Sequence, residues 1–103
     1  QQGYADGTFT ISKVVGDYLS RIASIDKNGP AINSIIYVNP QALEQAKELE
    51  REWKEGKIRG SLHGIPVILK DNIDTYDMPT TAGAVVLRNS IPAKDSYITK
   101  KLR

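Results

Sequence analysis

The sequence predicts an α/β fold, and three observations carry that expectation. Two stretches have helical apolar spacing, a short β-branched run lies between them, and a second apolar run follows. From Thr10 onward, Ile11, Val14, Val15, Tyr18, Leu19, Ile22 and Ile25 recur at three- and four-residue intervals, which lines one helix face. Thr10 or Ser12 can cap its start, and Asn28-Gly29-Pro30 stops it. Residues 1–9 have no period and are expected as a loose lead-in. Ile32–Val38 is β-branched and aromatic with apolar residues on both faces, so it is expected as a strand covered on both sides. Asn39-Pro40 then suits an N-cap followed by proline at the first helical position. Ala42, Leu43, Ala46, Leu49 and Trp53 make the buried stripe of a second helix that Gly56 ends, with Glu44, Lys47, Glu48, Glu50, Arg51 and Lys54 on its wet face. Val67–Leu69 reads as a further strand. Asp95 is the expected cap of a last helix through Tyr97, Ile98 and Lys101-Leu102, and residues 10–103 read as one portion of a domain, cut within that helix.

Composition narrows the function classes. At 103 residues, with 40% apolar and 25% charged side chains, the chain has ordinary globular usage and the length of one small domain or part of a larger one. The longest apolar run, Ile65–Leu69, is interrupted by Pro66, so no membrane span is expected. No basic-then-apolar leader opens the chain, and its start at Gln1 fits a processed protein, an expression remnant or an excised piece. The compartment stays open, because a chain without cysteine is stable in either redox environment. The same absence removes disulfides, thiolate nucleophiles and zinc-thiolate sites, and the single histidine, His63, removes metal sites built on several imidazoles.

Net charge is +2. Residues 94–103 hold four basic residues against Asp95, and everything before them sums to −1. A nucleic-acid surface needs basic residues spread over a face with aromatic residues to stack on. One terminal cluster with Tyr97 does not supply that, so no nucleic-acid partner is expected and a solvated helix end is.

The chemistry concentrates in residues 59–83: a glycine-bearing approach, a short apolar run, then a lysine where that run gives out. In open α/β sheets ligands gather beyond the carboxyl ends of strands, which places Lys70 where such folds put chemistry. Apolar surroundings from Ile65 and Val67–Leu69 would disfavour its charged form, lowering its pKa from about 10.4 and freeing it to act as a general base. Two alternatives stand beside this: the amine points to water, or Asp71 holds it charged as an ion pair. Asp71 and Asn72 can equally shape a turn. His63, among glycines, reads as a surface or loop-bracing side chain, since no serine and carboxylate can be placed beside it. Thr80-Thr81-Ala82-Gly83 is an ordinary turn or a backbone that something approaches closely. Neither a P-loop nor a dinucleotide fingerprint is present.

Taken together, Arg59-Gly60, Leu62-His63-Gly64-Ile65-Pro66-Val67, Lys70-Asp71-Asn72 and Met78-Pro79-Thr80-Thr81-Ala82-Gly83 resemble the N-terminal part of amidase signature family enzymes. The resemblance reaches back through Tyr18-Leu19-Ser20-Arg21-Ile22 and Asn39-Pro40-Gln41-Ala42-Leu43, and forward to Lys101-Leu102-Arg103.

What the resemblance implies is part of a mixed sheet covered by helices, and a Ser–cis-Ser–Lys hydrolase of carboxylic amides. Lys70 falls at the family's basic lysine, with Asp71, Asn72, Thr81 and Gly83 as supporting residues. It implies neither metal nor organic cofactor, and a small amide or peptide amide as substrate. The glycine/serine-rich stretch that carries both family serines lies downstream of this segment. Ser12, Ser20, Ser24, Ser34, Ser61, Ser90 and Ser96 match no family nucleophile. Ser61 stands where proline is common, and Ala84 where serine is. The chain is therefore expected to be the lysine-bearing N-terminal portion of a longer enzyme, inactive alone and prone to self-association through unpaired strand edges. Two other functions fit the same residues: the amidase (A) component of a tRNA-dependent amidotransferase, and a non-catalytic interaction fragment.

Overall fold

A computed structural model describes residues 1–103. In order, the elements are α1 (Gln2–Ala5), α2 (Ile11–Arg21) running on into π-helical turns (Ile22–Lys27), α3 (Ala42–Lys54), a 3-10 turn (Val85–Leu87) and α4 (Tyr97–Leu102). The chain divides into two compact units, one of residues 1–35 and 40–66, the other of residues 36–39 and 67–103.

In the first unit the helices form where the apolar period calls for them. Thr10 caps α2 by accepting the Lys13 amide at 3.2 Å, an arrangement worth about 1 kcal/mol. Ile11, only 2% exposed, Val15 and Ala46 are the buried apolar side chains, and Leu19, Ala42, Leu49 and Trp53 pack on them from the facing stripes of α2 and α3. Gly64 makes that contact possible. Its backbone is left-handed (φ +76), and a β-carbon there would lie 2.5 Å from Ile11 Cδ1. At the end of α3, Gly56 is left-handed, its amide donates to Trp53 O, and the Lys57 amide donates to Glu52 O at 2.8 Å. This pair of bonds satisfies the last carbonyls, as a Schellman ending does.

Several expectations are corrected. Residues 1–9 are not loose throughout: α1 forms, and Tyr4 sets its ring edge-on to Trp53 at 5.9 Å while its hydroxyl donates to Gly64 O at 3.0 Å. The apolar stripe of α2 stops short of Ile25, because the wider π turns carry Asp26 inward in its place, and Asp26 is buried where Ile25 is not. Pro40 and Gln41 form a turn, so α3 starts at Ala42 rather than at the proline.

The mixed sheet is not present: no strand pairing occurs anywhere in residues 1–103. A strand is a shared property of two segments, and neither apolar run finds a neighbour to bond with. The first run is diverted at its outset. Ala31 and Asn33 are left-handed, the Asn33 amide donates to Asp26 O, and Ser34 gives both its amide and its hydroxyl to the Asp26 carboxylate. Residues 31–35 thus wrap around Asp26 instead of extending. Ile32, Ile36 and Tyr37 are exposed rather than covered on two faces, and Ile68 in the second run is 79% exposed.

Glu50 ties the start of α2 to α3. It accepts the amide and hydroxyl of Ser12 and pairs with Lys54 at 2.8 Å. The Lys54 and Ser12 hydrogen bonds hold its carboxyl down at about 2, against an ordinary 4.5. Because the folded form is the stronger acid, its contribution is fully present above about pH 4.5 and is lost as pH falls towards 2. Thermal unfolding followed by circular dichroism is expected to show the melting temperature dropping through that window, and Glu50→Gln is expected to flatten the drop. An equally steep fall in the variant contradicts the assignment.

Candidate functional site

Every predicted site residue lies in the second unit. Lys70 ends the apolar run and turns back at once, its carbonyl accepting the Ile73 amide at 2.9 Å. Its side chain is exposed, and no hydrogen bond or ion pair engages the amine. The apolar surroundings expected of Ile65 and Val67–Leu69 are corrected here: with Val67 and Ile68 facing solvent, these residues do not desolvate the lysine.

Asp71 decides between the alternatives for its neighbour. Its carboxylate is bound to residues 81–83 and forms no ion pair with Lys70. Oδ1 accepts the Thr81 amide at 3.0 Å, while Oδ2 accepts the Thr81 hydroxyl and the Gly83 amide, the latter at 3.4 Å. The Asp71 carbonyl accepts the Ala82 amide at 2.8 Å. The Thr81 hydroxyl above all, then the Thr81 and Gly83 amides, hold the carboxyl below its ordinary range, and no charged neighbour contributes. Thr81 and Gly83 are therefore brought together with Asp71, whereas Asn72 is exposed and takes no part in the arrangement. Ala82 and Gly83 are both left-handed, at φ +49 and +75. For an alanine this is a strained conformation that the surrounding bonds must sustain.

The rest of the unit rests on polar contacts. α4 is capped by Ser96, not by the expected Asp95; Ser96 Oγ accepts the Thr99 amide at 3.3 Å. Asp95 is occupied elsewhere, accepting the Tyr76 amide at 3.0 Å and pairing with Arg103 Nε at 2.9 Å. Arg103 also pairs with Asp77 at 2.7 Å and lies over the Tyr76 ring. Sequence reasoning missed this arginine clamp, since contacts between residues 8 to 27 apart in an irregular segment follow no period that announces them.

His63, in the first unit, is a loop brace. It is 5% exposed, its Nδ1 accepts the Arg59 amide at 3.1 Å, and its Nε2 lies 2.9 Å from Leu49 O. The Arg59 amide can only donate, so the hydrogen belongs on Nε2, which donates to Leu49. Arg59 is itself held by a two-pronged pair with Glu52, at 2.7 and 2.6 Å. A shallow hollow on the polar face of α3, bounded by Gln41, Glu44, Glu48 and Arg51 among others, contains none of the predicted site residues. No three His, Asp or Glu side chains converge as metal ligands, and no helix is long and apolar enough to cross a membrane.

His63→Ala leaves the Arg59 amide without its acceptor and removes the bond that ties the loop to the Leu49 carbonyl on α3. It is expected to cost about 2 kcal/mol or more, read as a lowered denaturant midpoint. An unchanged midpoint contradicts the bracing role.

Comparison with known proteins gives a consistent picture. The Amidase family profile matches residues 13–103. A Schizosaccharomyces pombe protein named for an amidase is 44% identical over 99% of this chain and 17% of its own length. The crystal structure of the peptide amidase from Stenotrophomonas maltophilia superposes with a TM-score of 0.96 at 41% identity, over all of this chain and 21% of that one. The A component of a glutamyl-tRNA(Gln) amidotransferase from Alkaliphilus metalliredigens is 36% identical over all of this chain and 21% of its own length. The chain thus spans about a fifth of the length of the proteins it matches.

Proposed function

The chain belongs to the amidase family, and from that premise we propose that it is the lysine-bearing part of an amide hydrolase of the Ser–cis-Ser–Lys type. One observation carries the reading: the Lys70 amine is free of partners while the adjacent carboxylate, the nearest in sequence that could neutralise it, is committed to the 81–83 loop. In this reading the neutral amine draws a proton, through a bridging serine, from a nucleophilic serine. The serine oxygen bonds to the amide carbon, the C–N bond breaks, and the proton passes from the lysine to the departing ammonia or amine. Water then releases the acyl group, with the lysine again taking and returning a proton. Neither serine matches one in residues 1–103, so both come from further chain, as do the residues that desolvate the amine. The substrate class is a small amide or a peptide amide.

Over essentially the whole chain, the identity of 44% to the Schizosaccharomyces pombe protein and 41% to the peptide amidase, against 36% to the Alkaliphilus component, favours a stand-alone hydrolase. The second reading, one component of an amidotransferase, predicts ammonia delivered to a partner and measurable glutaminase activity. A hydrolase active without any partner protein excludes it.

In the complete enzyme, Lys70→Met is expected to lower ammonia release by about four orders of magnitude or more while leaving the melting temperature within a few degrees. Turnover within ten-fold of wild type disproves the base assignment.

As an isolated segment the chain is expected to self-associate, because Ile36, Val67, Ile68, Val85 and Val86 are exposed large apolar side chains and Val86 is 90% accessible. Sedimentation equilibrium is expected to give a mass that rises with concentration. A constant 11.4 kDa species contradicts this.

A further inference from the structure

We propose that Asp71 is a positioning residue for Lys70, clamping the 81–83 loop to the backbone on which the lysine stands and being itself kept, by that clamp, from pairing with the amine. The inference rests on the reading of Lys70 as the base. It extends that reading from the base to the groups that keep it usable.

The geometry has two parts. The first is mechanical. Two backbone carbonyls, of Lys70 and Asp71, and both carboxylate oxygens of Asp71 receive hydrogen bonds from Ile73, Thr81, Ala82 and Gly83. The two peptides that flank Asp71 thus each have their carbonyl bonded, that of Lys70 by Ile73 and that of Asp71 by Ala82, and the left-handed Ala82-Gly83 pair is held in place by bonds to Asp71. A lysine on a four-carbon stem reaches a fixed point reproducibly only if its α-carbon is fixed.

The second part is electrostatic. A carboxylate next in sequence to a lysine is its nearest candidate ion-pair partner, and such a pair favours the ammonium, the form that cannot accept a proton. The groups facing the Asp71 carboxylate are the Thr81 hydroxyl and the amides of Thr81 and Gly83, and no charged side chain pairs with either Asp71 or Lys70. The threonine hydroxyl contributes most to holding the carboxylate ionised. It does for the carboxylate what an ammonium would otherwise do, without neutralising the base.

Removing that hydroxyl tests both parts in the complete enzyme. Thr81→Val keeps the β-branched shape and deletes the donor. It is expected to lower kcat about ten-fold or more with KM within about two-fold, and to move the acid limb of the kcat profile to higher pH, because the released carboxylate turns to Lys70. In the double variant Thr81→Val with Asp71→Asn, no carboxylate remains. The acid limb is then expected to return to its wild-type position while kcat stays low, and Thr81→Ser is expected to restore both readouts. A Thr81→Val enzyme with the wild-type kcat and acid limb overturns the proposal, as does a loss confined to KM.

Circular dichroism checks that each variant folds. Should Thr81→Val not fold, Asp71→Asn carries the decision alone: kcat low with KM held supports the clamp, and wild-type turnover overturns it. Lys70→Met separates the two levels. Retained turnover there removes the base assignment itself, whereas lost turnover there with an unaffected Thr81→Val removes only the positioning role.

Discussion

Asp26 accepts the amide and hydroxyl of Ser34 and the amide of Ile35, and Asp71 repeats the arrangement with Thr81 and Gly83. His63 does the same with neutral chemistry, taking one backbone amide and giving to one carbonyl. In each case a single polar side chain accepts from loop backbone amides that no helix or ladder would otherwise satisfy. With only Ile11, Val15 and Ala46 as buried apolar residues, these polar anchors are what give the irregular half of the chain a defined path. The loops around His63 and Asp71 depend on them more than on apolar burial.

The helices were legible because their information is local. Periodic apolar residues define α2 and α3, and Gly56 marks the end of α3 through its own backbone freedom. The strands were not, because β-branched composition describes what a segment tolerates, while pairing is decided by another segment. Asn33 shows the competition directly: an apolar run that reads as extended is bent at its second residue by an aspartate seven residues upstream. Tyr4 and Arg103 were illegible for the opposite reason. Each acts through distant contacts, and a lone tyrosine or arginine near a terminus carries no period. Of the supporting residues that the resemblance implies, Asp71, Thr81 and Gly83 meet in this structure and Asn72 does not join them, a grouping that no local pattern in the sequence announces. The environment of Lys70 was not legible either, because apolar neighbours in sequence need not be its neighbours in space.

The residues on which the resemblance was read sort by what they do in this structure. Arg59, His63 and Gly64 shape the scaffold: they hook the 59–64 loop to α3 and leave room for Ile11. Asp71, Thr81 and Gly83 tie two loop segments together, and the exposed Lys70 amine is left without a partner.

Trp53 is the single indole of the chain, and it sits where α1, α3 and the 59–64 loop converge, against the rings of Tyr4 and His63. Intrinsic fluorescence excited at the red edge therefore looks at one corner of the first unit. It reports undocking of Tyr4 or loosening of the imidazole brace, and it has no built-in chromophore beside Lys70. Optical detection of events around that lysine calls for an indole introduced in the second unit.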